Sequence, residues 1–166
     1  MTLHPTSFSI RAALAAERPG LVDLWERATA ATHHFLRADD IRSLRPAVVD
    51  YLAIADLELW VLCDEYDTPV GFMGLSDAAI DSLFIAPEFA RRGGGTLLVQ
   101  HARRLKGPLT VDVNEQNSAA LDFYRRVGFE IVGRSPVDSA GRPFPLLHLR
   151  EAVAGERLDK QDVGMS

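Results

Sequence analysis

The spacing of apolar residues in the N-terminal third of the chain predicts two helices. The first is indicated by a set of residues three or four positions apart, which is the spacing of one buried helix face: Leu21, Leu24, Trp25, Ala28 and Thr32. A second set has helical spacing as well: Ile41, Leu44, Val48 and Leu52. Pro46 lies within this second set and should restart or kink the helix. The segment 31–40 breaks the period, so we predict a loop there.

The middle of the chain changes to short, β-prone runs. Leu59–Cys63 and Val70–Leu75 are separated by a turn-rich connection, which predicts a hairpin. Ile80–Ile85 is a third run, and Pro87 ends it. Phe8–Arg11 predicts a further strand near the start of the chain.

A glycine-rich segment is followed by one more helix and one more strand. The helix is indicated by apolar spacing and closed by Gly107: Leu97, Leu98, His101, Ala102 and Leu105. The strand is Leu109–Val113, in which Asp112 faces away from the core side of its two valine neighbours. Because a helix connects them, Ile80–Ile85 and Leu109–Val113 should be parallel strands of a mixed sheet.

The C-terminal part predicts a helix and two strands. Asn117 is a good N-cap for the helix, and Gly128 is a natural stop. Phe129–Gly133 and Phe144–Leu149 are the final pair of strands. Pro145 argues that the last strand lies at a sheet edge or carries a bulge.

These elements follow one another as β-α-α-β-β-β-α-β-α-β-β, which predicts an α/β (α+β) fold around a mixed sheet. The length suits one domain, which we place at residues 1–151. Residues 152–166 are polar and without pattern, and we predict a disordered tail there.

Composition excludes several classes of protein. The 166 residues carry 18 Lys+Arg and 23 Asp+Glu, a formal net charge of −5, which argues against nucleic acid or an anionic membrane as the main partner. No apolar run approaches the ~20 residues that span a bilayer, and the start lacks the pattern of a signal peptide. The single cysteine, Cys63, leaves no intramolecular disulfide and no cysteine-based zinc site. We therefore expect a cytoplasmic protein without a metal.

Charge is distributed unevenly along the chain. Acids dominate from Asp39 to Glu88, where only Arg42 and Arg45 oppose them, whereas residues 89–106 hold basic side chains and no acid. The basic segment suggests a local anion site, and the acidic bias suggests a cationic second ligand. Solvated surface charge is the alternative.

The chemistry is concentrated at residues 84–98, where a strand and a turn lead through Gly93–Gly95 into a helix. The free N–H groups of a first helical turn bind phosphate well, and glycines let its oxygens approach the backbone. Arg91 and Arg92 add donors that are always charged. Leu98 stands where the dinucleotide fingerprint needs a glycine, and the segment lacks the lysine of a P-loop. A plain helix start is the alternative.

Two motifs in this region resemble the GNAT superfamily of N-acetyltransferases. Pro87 followed by Gly93 and Gly95 resembles the family's acetyl-CoA signature, although Ala90 stands where the family has Arg or Gln. The run 117–129, which contains Asn, Phe-Tyr and Gly-Phe in the family's order, resembles the element that follows this signature. The likeness covers about residues 8–150. Three short segments further resemble the small bacterial YjaB-type subgroup: 31–33, 113–117 and 145–147.

The resemblance implies a GNAT-type fold, with a mixed, mostly antiparallel sheet of six to seven strands, helices on both faces and a splayed parallel strand pair. It implies direct attack of a primary amine, from a small molecule or a protein, on the thioester of acetyl-CoA in a ternary complex. It also implies the residues that contact acetyl-CoA: Leu83, Phe84, Ile85, Arg91, Arg92, Gly93, Gly94, Gly95, Thr96, Asn117 and Phe123.

Four further residues are candidates for the chemistry. The resemblance places at Tyr124 the acid that protonates the leaving thiolate, with packing alone as the alternative. Asp112, of a residue type depleted from strand interiors, is a candidate general base or amine anchor, with an exposed strand carboxylate as the alternative. His33 and Asp81 are candidate substrate contacts, although a loop or capping role is open for His33.

Two other functions remain open from the sequence, namely a non-catalytic acyl-CoA sensor on the same fold and a nucleotide-binding regulator. The expected partners are acetyl-CoA and an amine acceptor, and an exposed terminal strand would permit a homodimer. Cys63 ends an apolar strand, so we expect a buried structural thiol rather than an acyl carrier.

Overall fold

Seven strands form one open sheet in the computed structural model, which describes residues 7–152. Their bounds in chain order are β1 (Ser9–Ala12), β2 (Glu58–Cys63), β3 (Pro69–Ser76), β4 (Ala79–Ile85), β5 (Thr110–Asn114), β6 (Phe129–Ser135) and β7 (Leu146–Glu151). The strands lie in the order β1-β2-β3-β4-β5-β7-β6. All neighbours are antiparallel except β4 and β5, which are parallel as predicted.

Helices cover both faces of this sheet. Within the described residues the α-helices are α1 (Arg18–Thr32), α2 (Ala38–Leu52), α3 (Gly94–Lys106) and α4 (Ser118–Arg126). Trp25 of α1 belongs to a core with Phe72 of β3, on one face. Leu98 of α3 and Tyr124 of α4 share a second core with Met73 of β3, on the other face. The structure thus confirms the predicted fold class.

α2 differs from its prediction in where it begins. It begins inside the segment predicted as a loop, because Asp40 Oδ2 accepts a hydrogen bond from the Arg37 backbone N–H at 2.8 Å and fixes the first turn. The helix runs through Pro46 without restarting, and a kink at Pro46, the other alternative, stays a prediction. Proline removes one backbone hydrogen bond, and the burial of Ile41 and Leu52 stabilises the helix on either side.

The last strand was predicted to lie at a sheet edge or to carry a bulge at Pro145, and the structure shows neither. β7 lies between β5 and β6, so β1 and β6 form the two edges. Pro145 directly precedes β7, so the lack of an N–H at Pro145 removes no hydrogen bond from the strand. The Pro145 carbonyl accepts a hydrogen bond from the Glu115 N–H at 2.8 Å. The pairing of β6 with β7 has a register shift, and it lies in β6 between Ile131 and Gly133.

The parallel pair is short, and this opens a cleft. β4 and β5 pair only at Ala79 with Thr110 and at Ile80 with Val111. Beyond these residues β4 continues along β3, whereas β5 continues along β7. The two strands therefore diverge, which confirms the predicted splay.

A buried carboxylate lies at the end of β7. Glu151 accepts hydrogen bonds from Arg103 of α3 and from the backbone N–H of Leu109, and so attaches β7 to the start of β5. The predicted tail, except for residue 152, lies outside the described residues. No helix among residues 7–152 has the length and apolar character to cross a membrane.

Candidate active site

The three glycines at the start of α3 meet three different structural needs. Gly93 has a φ of +84°, which an L side chain rarely adopts. A Cβ on Gly94 would lie 2.5 Å from Leu62 Cδ2, and one on Gly95 would lie 3.1 Å from Phe123 Cζ. The glycines therefore seat the start of α3 tightly between the sheet and α4.

The same segment presents backbone donors. The first hydrogen bond of α3 runs from Leu97 N to Gly93 O at 3.1 Å, so the N–H groups of residues 94–96 have no acceptor within the helix. Arg91 is exposed with a φ of +62°, and the Arg92 guanidinium lies 5.3 Å from the centre of an aromatic ring. This combination of amides and arginines suits a diphosphate.

The far half of β4 faces the cleft. Leu83, Phe84 and Ile85 pair with β3 on one side, and no residue of β5 pairs with them on the other. Their backbone groups on the cleft side can therefore pair with an extended ligand that carries amides. The pantetheine arm of acetyl-CoA is such a ligand, so these residues fit the cosubstrate that the resemblance implies.

Tyr124 is buried in the core that α3 and α4 share. Its ring packs edge-on against Phe123 at 5.0 Å and against Phe129 at 5.3 Å. Burial raises the pKa of the Tyr124 phenol, so it stays protonated at neutral pH. Tyr124 thus packs in the core, which is the alternative that the sequence analysis gave to the acid role. Its role as the acid stays a prediction.

His33, just after α1, connects that helix to the cap of α4. Asn117 Oδ1 accepts from Ala120 N at 3.1 Å, which leaves its Nδ2 to donate to His33 Nε2 at 3.2 Å. His33 Nδ1–H then donates to Thr32 Oγ1 at 2.8 Å, and the Thr32 hydroxyl donates to the Ala28 carbonyl at 2.8 Å. Burial lowers the pKa of His33, which favours this neutral form. Both ring nitrogens contact protein groups, which matches the alternative of a loop or capping role.

Aromatic rings extend from His33 over the cleft. Its ring centre lies 6.4 Å from that of Phe84 on β4 and 5.5 Å from that of Phe35 in the α1–α2 loop. Phe35 in turn lies 6.1 Å from Phe144, in the segment before β7. We call these four residues the aromatic arch. The sequence analysis missed Phe35 and Phe144, because neither belongs to a motif.

Asp112 lies at the cleft, on the sheet face turned away from α3 and α4. Its Oδ1 lies 2.6 Å from His148 Nδ1, and His148 Nε2 lies 2.7 Å from Ser135 Oγ. Asp112 and His148 are 57% and 37% exposed, so solvent and ligands reach them. The sequence analysis found Asp112 but missed His148 and Ser135, which we call, with Asp112, the β5–β7–β6 row.

Asp81 stands on the opposite side of the cleft from Asp112. Ile80 of β4 and Val111 of β5 form the last pair between these two strands, and Asp81 and Asp112 are the next residues along each strand. Asp81 accepts a hydrogen bond from the Ser76 hydroxyl and is exposed. The structure thus places the two predicted carboxylates where the cleft begins, outside the aromatic arch.

Cys63 is fully buried, and burial raises the pKa of its thiol to about 11. A protonated, enclosed thiol is a poor nucleophile. The prediction of a structural thiol is confirmed for its burial.

Comparison with known proteins agrees with this geometry. Residues 55–131 match the family model described as an acetyltransferase (GNAT) domain. The chain belongs to the GNAT family of N-acetyltransferases, and it is an enzyme that transfers an acetyl group to an amine.

Individual relatives show the likeness along most of the chain. It is 46% identical over 141 residues to the peptidyl-lysine N-acetyltransferase YjaB of Escherichia coli (strain K12), covering 85% of this chain and 95% of YjaB. The solution structure of the apo-form of YjaB from Escherichia coli superposes with a TM-score of 0.82 and 44% identity, covering 89% and 99% of the two chains. PaiA N-acetyltransferase from Thermoplasma acidophilum, solved in complex with coenzyme A, shares the fold at a TM-score of 0.71 and 16% identity, covering 89% and 99%.

Proposed function

We propose that this enzyme transfers the acetyl group of acetyl-CoA to the side-chain amine of lysine in a protein or peptide. The likeness to YjaB, a peptidyl-lysine N-acetyltransferase, supports this acceptor. The observation that carries the proposal is the cleft between β4 and β5. It begins between the carboxylates Asp81 and Asp112, and the far half of one of its walls exposes unpaired backbone.

The donor side of this cleft binds acetyl-CoA. The amides of residues 94–96, with Arg91 and Arg92, hold the diphosphate, and Asn117 and Phe123 support the site from α4. The pantetheine arm pairs with β4 at residues 83–85. A backbone N–H of this part of β4 stabilises the oxyanion that forms when the amine attacks the thioester.

Tyr124 donates the proton that the departing sulfur needs. Its pKa is raised by burial, so it holds this proton until the thiolate forms. The same apolar surroundings raise the proton affinity of a thiolate, because desolvation disfavours every anion. Burial therefore shifts the proton affinities of the Tyr124 phenolate and of the leaving thiolate in the same direction. Because Cys63 is enclosed, direct attack by the amine is the route that fits this site.

The acceptor side is negatively charged. Asp81 and Asp112 flank the start of the cleft, and both are exposed. A lysine ammonium is attracted there, in agreement with the acidic bias of residues 39–88. The aromatic arch limits the width of the entrance, so an unbranched alkyl chain fits better than a bulky amine.

The Tyr124→Phe variant tests the proposed acid. We expect kcat for a lysine peptide to fall about 10²-fold or more, since general acid catalysis contributes that much. The ring and its contacts remain, so Tm and CoA affinity should stay as in the wild type. Tyr66→Phe makes the same chemical change at a side chain that is 80% exposed, and it should keep full activity. Retained activity in Tyr124→Phe would show that Tyr124 only packs.

A further inference from the structure

Tyr51 of α2 holds its hydroxyl against the cleft wall formed by β4. Its oxygen lies 2.9 Å from Ser82 Oγ, and Ser82 is two residues beyond Ile80, the last residue of β4 that pairs with β5. We propose that Tyr51, acting through Ser82, positions the Asp81 carboxylate to bind the ammonium group of the acceptor lysine. This inference rests on the proposed lysine N-acetyltransferase function.

Asp81 is the extra residue of a β-bulge where the cleft begins. In the pairing of β3 with β4, Leu75 lies opposite Ile80. The preceding residue of β3, Gly74, lies opposite Ser82, so Asp81 has no partner across this ladder. A bulge bends its strand and redirects the side chains there. The position of the Asp81 carboxylate therefore depends on what holds the backbone beside it.

The bulge turns Asp81 and Ser82 away from α3 and α4. Residues 80 and 83 would lie on opposite faces of a regular strand, because side chains alternate. Ile80 and Leu83 nevertheless both pack in the core that contains α3. The two residues between them lie toward the other face, where Ser82 meets Tyr51 of α2. Asp81 thus shares a face with Asp112, across the start of the cleft.

Ser82 connects the bulge to β3 and to α2. The Gly74 N–H donates a hydrogen bond to Ser82 Oγ at 3.0 Å, and the Tyr51 hydroxyl contacts the same oxygen. Tyr51 therefore fixes the rotamer of Ser82, and Ser82 fixes β4 directly beside Asp81. Without the Tyr51 hydroxyl, Ser82 would be free to turn away and release the Gly74 N–H.

Gly74 provides the space that the Tyr51 hydroxyl occupies. A Cβ at Gly74 would collide with the Tyr51 oxygen and would lie 2.7 Å from Ser82 Oγ. Glycine weakens the interior of a strand, and it often marks a bulge or the close approach of another group. At Gly74 both conditions are met, so the sequence of β3 fits a hydroxyl held at this position.

Asp81 keeps one carboxylate oxygen for a ligand. Its Oδ2 accepts a hydrogen bond from the Ser76 hydroxyl, whereas Oδ1 accepts none from residues 7–152. Burial raises the pKa of the Tyr51 phenol, and the charge of Asp81 acts in the same direction, so the two groups interact. An exposed ion pair contributes little when its partners are flexible. A fixed Asp81 carboxylate should therefore bind an ammonium group better than a mobile one.

The test compares two peptides that differ only at the acceptor side chain. One carries lysine, and the other carries norleucine, which has the same alkyl chain without the amine. Each is titrated into the enzyme saturated with CoA, and the ratio of the two Kd values measures recognition of the ammonium. We expect Tyr51→Phe to reduce the preference for lysine about 3- to 10-fold, which corresponds to the loss of one hydrogen bond.

Steady-state kinetics should give the same result in a second form. Tyr51→Phe should raise KM for the lysine peptide by that factor and change kcat little, because the ring remains and the donor side is untouched. Tyr66→Phe makes the same chemical change at a side chain that is 80% exposed, and it should match the wild type. An unchanged preference and KM in Tyr51→Phe, even with a lower Tm, would show that Tyr51 only packs.

A double-mutant cycle separates positioning from packing. Asp81→Asn removes the charge and should reduce the preference for lysine, and Tyr51→Phe should then add little to that loss. Additive losses would overturn the proposal, because Tyr51 would not act through Asp81. Ser82→Ala should reproduce Tyr51→Phe, and it replaces that variant in the cycle if Tyr51→Phe does not fold.

The proposed function has a separate outcome in these experiments. A wild type that binds CoA but acetylates no lysine peptide would overturn that function. The binding ratio and the cycle would still decide whether Tyr51 positions Asp81, since neither requires turnover.

Discussion

His33 contributes to stability only while its imidazole is neutral. Its Nε2 accepts a hydrogen bond from Asn117, and a proton on that nitrogen would put two donors face to face. Burial lowers the pKa of His33, and the nearby His34 lowers it further. Folding therefore favours the neutral ring, whereas the unfolded chain protonates it near the ordinary value.

This opposition makes stability depend on pH. Burial and the nearby Arg104 lower the pKa of His101 as well, so His101 contributes in the same direction. Between the lowered pKa of folded His33 and ~6.5 in the unfolded chain, the unfolded state binds more protons. The free energy of unfolding should therefore fall as the pH is lowered from about 7 to 5. Glutamine can accept from Asn117 but does not titrate, so His33→Gln should reduce this slope in urea unfolding. His34→Gln should keep most of it, and an unchanged slope in His33→Gln would contradict the prediction.

At the scale of elements, the seating of α3 is the most restrictive feature. Gly94→Ala would put a methyl group 2.5 Å from Leu62 Cδ2, in the packed contact between α3 and the sheet. We expect it to lower the free energy of unfolding by about 1–3 kcal/mol, the usual cost of overpacking. Because the same shift displaces the amides of residues 94–96, CoA affinity should fall as well.

Gly20→Ala in α1 provides the matched control for this substitution. A Cβ at Gly20 meets nothing within 4 Å, so the change should stabilise the protein by about 0.5–1 kcal/mol. Urea unfolding measures the free energy of unfolding of both variants, and titration with CoA measures their CoA affinity. Equal stability of the two variants would show that α3 can move away from the sheet without cost.

Periodicity predicted most elements, because a buried face leaves a pattern within one stretch of chain. It failed at the sheet position of β7, where neighbours from elsewhere in the fold decide the outcome. The β5–β7–β6 row was invisible for the same reason. Asp112 and His148 are 36 positions apart, and they meet only because β7 inserts beside β5. The predicted acetyl-CoA contacts at residues 83–96, by contrast, follow one another closely enough in the sequence to form a motif.

For the whole molecule, ligand binding should appear as thermal stability. A ligand at a hundred times its Kd adds ~2.7 kcal/mol to the free energy of unfolding. For a chain of this size that corresponds to a rise in Tm of about 5–11 °C. We expect this rise with CoA and not with NAD or ATP, measured by differential scanning fluorimetry. A rise with NAD or ATP alone would favour a nucleotide-binding regulator.

Because β7 lies inside the sheet, the sheet cannot be completed until the residues of β7 have been synthesised. The ribosome makes β5 and β6 before residues 146–151, yet β5 meets β7 rather than β6 in the finished sheet. A nascent chain that still lacks these residues exposes the flank of β5 and has no His148 beside Asp112. Translation must therefore pass residues 146–151 before the β5–β7–β6 row can assemble, and a chain truncated before β7 cannot form that row.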